Sequence, residues 1–204
     1  MSDSKVVHVI DDDVDVRQSL AFLLSAAGLA VRTHDSAVAF LKALPTLQDG
    51  CIVTDIRMPE MDGLELQKRL KEMKIDMPVI VITGHGDVHL AVSAMKSGAV
   101  DFIEKPFDDE ALLSAIQAAL TQHSDDRRRQ SLVADVRKRL KALSEREKEV
   151  LNGLVAGKPN KIIAYELGIS ARTVEVYRAN VMTKMQADSL SELVRMVLLE
   201  SGTA

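Results

Sequence analysis

The sequence predicts an α/β domain built on a five-stranded parallel sheet, followed by a small all-α domain of four short helices. Three observations carry this. Over the first 120 residues, five short runs rich in β-branched residues alternate with longer stretches of helical period. Beyond residue 141 there is no strand-like run. Charge divides at the same place: residues 1–124 hold eleven basic and nineteen acidic side chains, a net of −8, whereas residues 125–204 hold fifteen and eleven, a net of +4. A chain of 204 residues suits two domains, since compact domains cluster at about 100–150 residues.

The strand runs are VVHVI (6–10), AVRTH (30–34), CIVTD (51–55), PVIVIT (78–83) and DFIEK (101–105). The first intervening stretch, Val14 to Ala27, sets Val16, Leu20, Leu23, Leu24 and Ala27 on one helical face, and Gly28 stops it. Five βα units in succession predict a parallel sheet covered on both faces. The fifth helix is expected from about Asp109 to Leu120, after which SDDRRRQ offers few apolar anchors. The domains are therefore placed at 1–124 and 141–204, with a linker over 125–140. Leu132, Val136, Leu140 and Leu143 recur at helical spacing, so the linker is expected to be partly helical.

Composition narrows the function classes. Apolar residues make up 47% of the chain, yet no run approaches the roughly 20 apolar residues of a membrane span. MSDSKVVHVIDDD has acids around a short apolar run and so is not a secretory leader; a cytoplasmic location without membrane contact is expected. Cys51 is the single cysteine and reads as a core residue, which excludes disulfides and multi-cysteine zinc sites.

In parallel sheets, ligands bind beyond the carboxyl ends of the strands, at the switch point of strand order. The residues there are Asp11 and Asp12 after the first run, Asp55 after the third, Thr83 after the fourth and Lys105 after the fifth. Converging carboxylates repel one another unless a hard cation joins them, and Mg2+ accepts such oxygens while keeping waters for a phosphoryl group. Asp55 would then be the nucleophile, with Lys105 and Thr83 supplying a cation and a hydroxyl to the transferred oxygens. Singly, each has a duller reading: a DDD run caps helices, Thr83 ends a strand and Lys105 is exposed. Order and placement together favour the site. Asp13 is left out of it as a helix N-cap.

IDDD (10–13), TDIRMPEMDG (54–63), VITGHGD (81–87) and DFIEKPF (101–107) resemble the receiver domain of two-component response regulators, over residues 1 to about 121. The resemblance implies a flavodoxin-like (βα)5 fold and phosphorylation of Asp55 by a histidine kinase. It also implies Mg2+ on Asp12, Asp55 and the backbone carbonyl of Arg57, with Asp11 acting through water. Thr83 and Phe102 would be switch residues, and a cis bond would precede Pro106.

In the second domain, Ser144 with Glu147 and Ser189 with Glu192 read as capping boxes, the first opening a helix that Gly157 closes. Between them a helix ends at Leu167, Gly168 turns the chain, Ser170 caps and a second helix begins near Ala171: a helix-turn-helix layout. Ile169, Val174, Val181 and Met185 form its apolar stripe, leaving Arg172, Glu175, Tyr177, Arg178, Thr183 and Lys184 mostly outward. That face suits DNA, and the helix N-terminus near Thr173 offers N–H groups to a phosphate. The candidate DNA-binding residues are Arg172, Thr173, Glu175, Tyr177, Arg178 and Lys184. LSEREKEVL (143–151), GKPNKIIAYELGISARTV (157–174) and ANVMTKM (179–185) resemble the LuxR-type output domain. Glu175 and Tyr177 depart from it, standing where many members have Lys and His. The last helix, with Leu190, Leu193, Val194, Val197 and Leu198, carries more apolar surface than a small domain buries and suggests a dimer face.

GHGD, VDFIEKPF and TVEVYR further resemble the FixJ-type regulators of nitrogen fixation genes. That resemblance implies an oxygen-sensing haem histidine kinase, double-stranded promoter DNA and RNA polymerase as partners, homodimerisation on phosphorylation, and activation of those genes. The receiver would assist only its own phosphotransfer and dephosphorylation. Two rivals stand beside this reading: a Mg2+-dependent phosphohydrolase, and a signalling adaptor whose helical module binds protein.

Overall fold

Val6–Ile10 (β1), Ala30–His34 (β2), Gly50–Asp55 (β3), Val79–Thr83 (β4) and Asp101–Glu104 (β5) pair in parallel in the order β2-β1-β3-β4-β5. The computed structural model describes residues 5–84 and 88–202. His85, Gly86 and Asp87 of the VITGHGD motif lie outside the described residues. The chain divides into two compact units, 1–125 and 126–204.

Alternate strand residues feed opposite faces of the sheet, as a period of two requires. Val7, Val9, Cys51, Val53, Ile80 and Ile82 meet Leu20 and Leu24 of α1 (Val14–Ala26) and Leu112 and Ile116 of α5 (Asp109–Lys141). On the other face Ile10, Ile52, Val79 and Val81 meet α2 (Ala37–Ala43), α3 (Gly63–Glu72) and α4 (Val88–Ser97) through Phe40, Leu66, Leu70 and Ala94. The β1, β3 and β4 runs are continuous and apolar because both of their faces are dry, whereas β2 and β5, at the edges of the sheet, are largely exposed. A short 3₁₀ turn, Leu44–Thr46, follows α2. Residues 125–140 lie within α5, whose Val136 joins the core of the second unit.

The first core also takes in a polar pair. His8 is fully buried, and its Nε2 lies 2.9 Å from the carbonyl oxygen of Gln48, while its Nδ1 lies 3.4 Å from Nε2 of His34. A carbonyl only accepts, so His8 Nε2 carries the hydrogen, Nδ1 is bare and His34 donates to it. Both rings stand edge-on to Phe40. Burial pushes both imidazoles down: His8 falls despite its bond to the Gln48 carbonyl and the nearby Asp49, with Arg32 adding to the fall, and His34 goes to about 4, with His8 and Arg32 adding to burial against Asp35. A base depressed below its unfolded value of 6.5 contributes stability that is whole above pH 6.5 and is lost as pH falls towards 4. The free energy of unfolding measured in urea should therefore drop over that window, by about 3 kcal/mol for His34. The His34→Gln variant keeps an N–H donor but cannot titrate; an equally steep decline in it would show that the acid sensitivity lies elsewhere.

The second unit packs α6 (Glu145–Val155), α7 (Asn160–Leu167), α8 (Ala171–Met185) and α9 (Leu190–Glu200) around Val150, Leu151, Ile163, Val174, Val181, Met185 and Leu193. Ser144 and Glu147 form a full capping box. Ser189 accepts from the Glu192 N–H, but the Glu192 carboxylate turns to the N–H of Asp188 instead of Ser189, so the second box closes on the residue before the cap.

Candidate functional site

The strand order sets β1 and β3 side by side and makes them the point at which connections run outwards in both directions. Asp11 follows β1 and Asp55 ends β3, so two carboxylates meet where the rule for parallel sheets locates a ligand. Lys105, just past β5, reaches across with Nζ 2.7 Å from Asp55 Oδ1 and 3.1 Å from Asp11 Oδ2. The remaining carboxylate oxygens are taken by the main chain: Arg57 N–H donates to Asp55 Oδ2 at 2.7 Å and Asp13 N–H to Asp11 Oδ1 at 2.8 Å. The Asp11 and Asp55 side chains are only 4% and 12% exposed, so these bonds act in a poorly hydrated environment where they count for more than at a surface.

Burial pushes the Asp11 carboxyl up, outweighing the Asp13 N–H and Lys105. Burial also pushes the Lys105 ammonium down, but Asp55 and Asp11 together reverse it and leave the group above its ordinary value. The result is a cation clamped between two acids. α3 begins against this point: a Cβ on Gly63 would stand 2.4 Å from the Asp55 carbonyl oxygen, so only glycine admits the helix so close. Asp13 is the N-cap of α1, accepting from Asp15 and Val16, as read from the sequence.

The other residues singled out above are placed as follows. Asp12 is exposed, and among the described residues no three acidic, histidine or cysteine side chains are grouped to hold an ion by themselves. Thr83 is buried, its hydroxyl 3.3 Å from the Gly84 carbonyl oxygen, not on Asp55. Phe102 is 42% exposed on β5. The Lys105–Pro106 bond is cis. The donor chemistry fits Mg2+: oxygen ligands alone, at a place where the fold already holds positive charge between two carboxylates. Sequence reasoning missed Gly63, whose backbone clearance has no signature beyond its place in MDG. It also missed Arg17, whose Nη1 donates to the Asp11 carbonyl at 2.7 Å.

In the second unit, Gly168 takes the left-handed conformation at φ 65 and ends α7, and Ser170 caps α8 by accepting from the Thr173 N–H. Of the N–H groups expected near Thr173 at the helix N-terminus, that of Thr173 itself is already occupied by Ser170, and its hydroxyl lies 2.8 Å from that of Ser170. Val174, Val181 and Met185 are buried, as their spacing required. Arg172 and Glu175 are exposed, together with Val176 and Asn180, which the sequence reading passed over; Arg178 is half-buried at the edge. Tyr177 packs half-buried against the core. Lys184 is held by the buried Glu147 at 2.7 Å. That bond, with the Ser144 N–H, holds the Glu147 carboxyl below its usual range.

Comparison with known proteins agrees with both halves. Residues 7–117 match the response regulator receiver domain, and residues 141–197 match the bacterial regulatory proteins of the luxR family. The transcriptional regulatory protein FixJ of Azorhizobium caulinodans is 60% identical over 199 residues, 98% of this chain and 94% of that protein. Among solved structures, full-length FixJ from B. japonicum is 52% identical with a TM-score of 0.64, covering 97% of this chain and 98% of that one. The response regulator StyR is 42% identical with a TM-score of 0.83, covering 95% and 98%.

Proposed function

The chain belongs to the two-component response regulators that join a receiver domain to a LuxR-type DNA-binding domain, and we propose that phosphorylation of Asp55 by a histidine kinase switches it on as an activator of nitrogen fixation genes. The observation that carries this is Lys105 bridging Asp11 and Asp55 at the switch point of the sheet. The functional division is proposed as 1–124 for the receiver, 125–140 for a linker that is helical throughout, within α5, and 141–204 for DNA binding. Resemblance to FixJ over nearly the whole chain supports the target genes and an oxygen-sensing haem kinase. No helix among the described residues is long and apolar enough to cross a membrane; work on chromosomal DNA places the protein in the cytoplasm.

A carboxylate oxygen of Asp55 attacks the phosphorus carried by the kinase histidine. An O–P bond forms as the P–N bond breaks, and the imidazole departs with the electron pair. Asp12, Asp55 and the Arg57 carbonyl, with Asp11 through water, would hold Mg2+, which would supply positive charge for the phosphoryl oxygens. Lys105 is already in place to follow those oxygens, moving from carboxylate to phosphoryl. The Thr83 hydroxyl can exchange the Gly84 carbonyl for a phosphoryl oxygen by rotating about one bond. Val81 and Phe102 are register partners, so a shift at the end of β4 is passed to the half-exposed Phe102 ring and, with the cis Lys105–Pro106 turn, to a dimerising face. The receiver turns over no free substrate beyond its own phosphorylation and dephosphorylation. The dimer then engages a pseudo-palindromic promoter through α8, with Arg172, Thr173, Glu175, Tyr177, Arg178 and Lys184 as the contact set, and recruits RNA polymerase.

Footprinting on candidate nitrogen fixation promoters with and without acetyl phosphate tests this. Protection should appear at roughly tenfold lower protein when phosphorylated, a coupling of about 1.4 kcal/mol. Identical protection in both states would remove the switch from the proposal.

A further inference from the structure

We propose that Arg17 is a positioning residue of the phosphorylation site, stapling the main chain on both sides of Asp12. This rests on the reading of Asp55 as phospho-acceptor and goes beyond it. Arg17 touches that turn at two points. Its main-chain N–H donates to the Asp13 carbonyl at 3.0 Å, as a first-turn helical bond must. Its guanidinium donates to the Asp11 carbonyl at 2.7 Å, reaching back six residues. The Asp13 side chain adds bonds to the N–H groups of Asp15 and Val16. Asp12 is therefore the free middle of a turn whose two flanking carbonyls are both bonded to one residue of α1.

The turn needs such a bond. Asp11, Asp12 and Asp13 are consecutive carboxylates, and their mutual repulsion favours any rearrangement that splays them. The Asp11 side chain is already committed to Lys105 and to the Asp13 N–H, so neither oxygen is left to steady Asp12. Asp11, just past its strand, is buried, and among the described residues the guanidinium is the donor its carbonyl has. Holding that carbonyl fixes the direction in which the chain leaves β1, and so where the Asp12 carboxylate stands relative to Asp55. Arg17 touches no reacting atom; it acts through the placement of Asp12.

Positioning and charge make opposite predictions. If only its charge mattered, removing a cation beside an acidic site would tighten Mg2+ binding. If it positions Asp12, removal should weaken binding about tenfold, the loss typical for groups that orient metal ligands. The test measures the Mg2+ concentration giving half-maximal thermal stabilisation of the full chain, for the wild type, Arg17→Met and Arg17→Lys. The Met variant is expected to need about tenfold more Mg2+, and the Lys variant, which keeps donors and charge, about threefold or less. An unchanged or lower requirement in Arg17→Met overturns the proposal, including the case in which only the metal-free melting point falls. If the Met variant does not fold, Arg17→Gln decides by the same criterion. Acetyl phosphate labelling of the wild type separates the two levels: no label on Asp55 sinks the acceptor itself, whereas label with an unchanged Mg2+ requirement sinks only Arg17.

Discussion

The Asp55→Asn variant is expected to take up no phosphoryl group from acetyl phosphate and to lose phosphorylation-dependent dimerisation, while remaining folded. An amide oxygen is a far poorer nucleophile than a carboxylate, and among the described residues no other carboxylate is placed to substitute: Asp11 is tied to Lys105 and the Asp13 N–H, and Asp12 is exposed beyond it. The shape of the residue is kept, but its bonding is not. Asp55 now accepts from Lys105 on one oxygen and from the Arg57 N–H on the other. Asparagine has one acceptor oxygen, so one of these bonds is lost, at about 1 kcal/mol, too little to unfold a domain with two dry helix–sheet layers. Mass spectrometry of intact protein after acetyl phosphate treatment reads the result directly. Undiminished labelling of the variant would move the acceptor elsewhere and with it the role assigned to Lys105.

What the residue order disclosed, and what it hid, follows from which interactions leave a pattern along the chain. The central strands were legible almost to the residue because a parallel sheet dry on both faces writes continuous β-branched runs, and Val6–Ile10 matches its run completely; Ala30–His34 also matches, but as a largely exposed edge strand it was marked by its place in the βα alternation and not by dryness. α5 was read as ending at Leu120 but continues to Lys141. From Thr121 to Leu132 nearly every residue is exposed, and hydrophobic periodicity records which face is buried, not whether the backbone is helical. At the proposed site, the strand-end rule singled out Asp11, Asp55 and Lys105, which the structure brings together, and Thr83, whose hydroxyl it places on Gly84 instead, since side-chain chemistry at a defined place in the fold is visible in sequence. Arg17 and Gly63 act on main-chain atoms of Asp11 and Asp55, which every residue possesses. In α8, period alone turned Tyr177 and Lys184 outward. Tyr177 instead packs half-buried against the core, whereas Lys184 is exposed as read but engaged by the carboxylate of Glu147, 37 residues earlier in the chain.

Binding of residues 126–204 to a promoter duplex should fall steeply with salt. This unit has its own core and carries the basic excess of the chain. Lys184 can reach a phosphate only by abandoning Glu147, and the Thr173 N–H is held by Ser170. Within the proposed contact set, Arg172 and Arg178 are thus the cations best placed to neutralise phosphates, and the exposed Lys161 at the start of α7, outside that set, brings the count to about three per domain. Each neutralised phosphate contributes roughly −0.9 to the slope of log affinity against log salt, so raising salt fourfold should weaken one domain about 40-fold. Two domains on a pseudo-palindromic site should lose about a thousandfold, because their slopes add. Fluorescence anisotropy of a labelled duplex between about 50 and 200 mM salt measures this. A shallow dependence would mean that this helical face does not meet a polyanion. The exposed ridge of Arg172, Glu175 and Val176 would then fit a protein surface better, where a mixed charge and an apolar side chain are an advantage and counterion release is not.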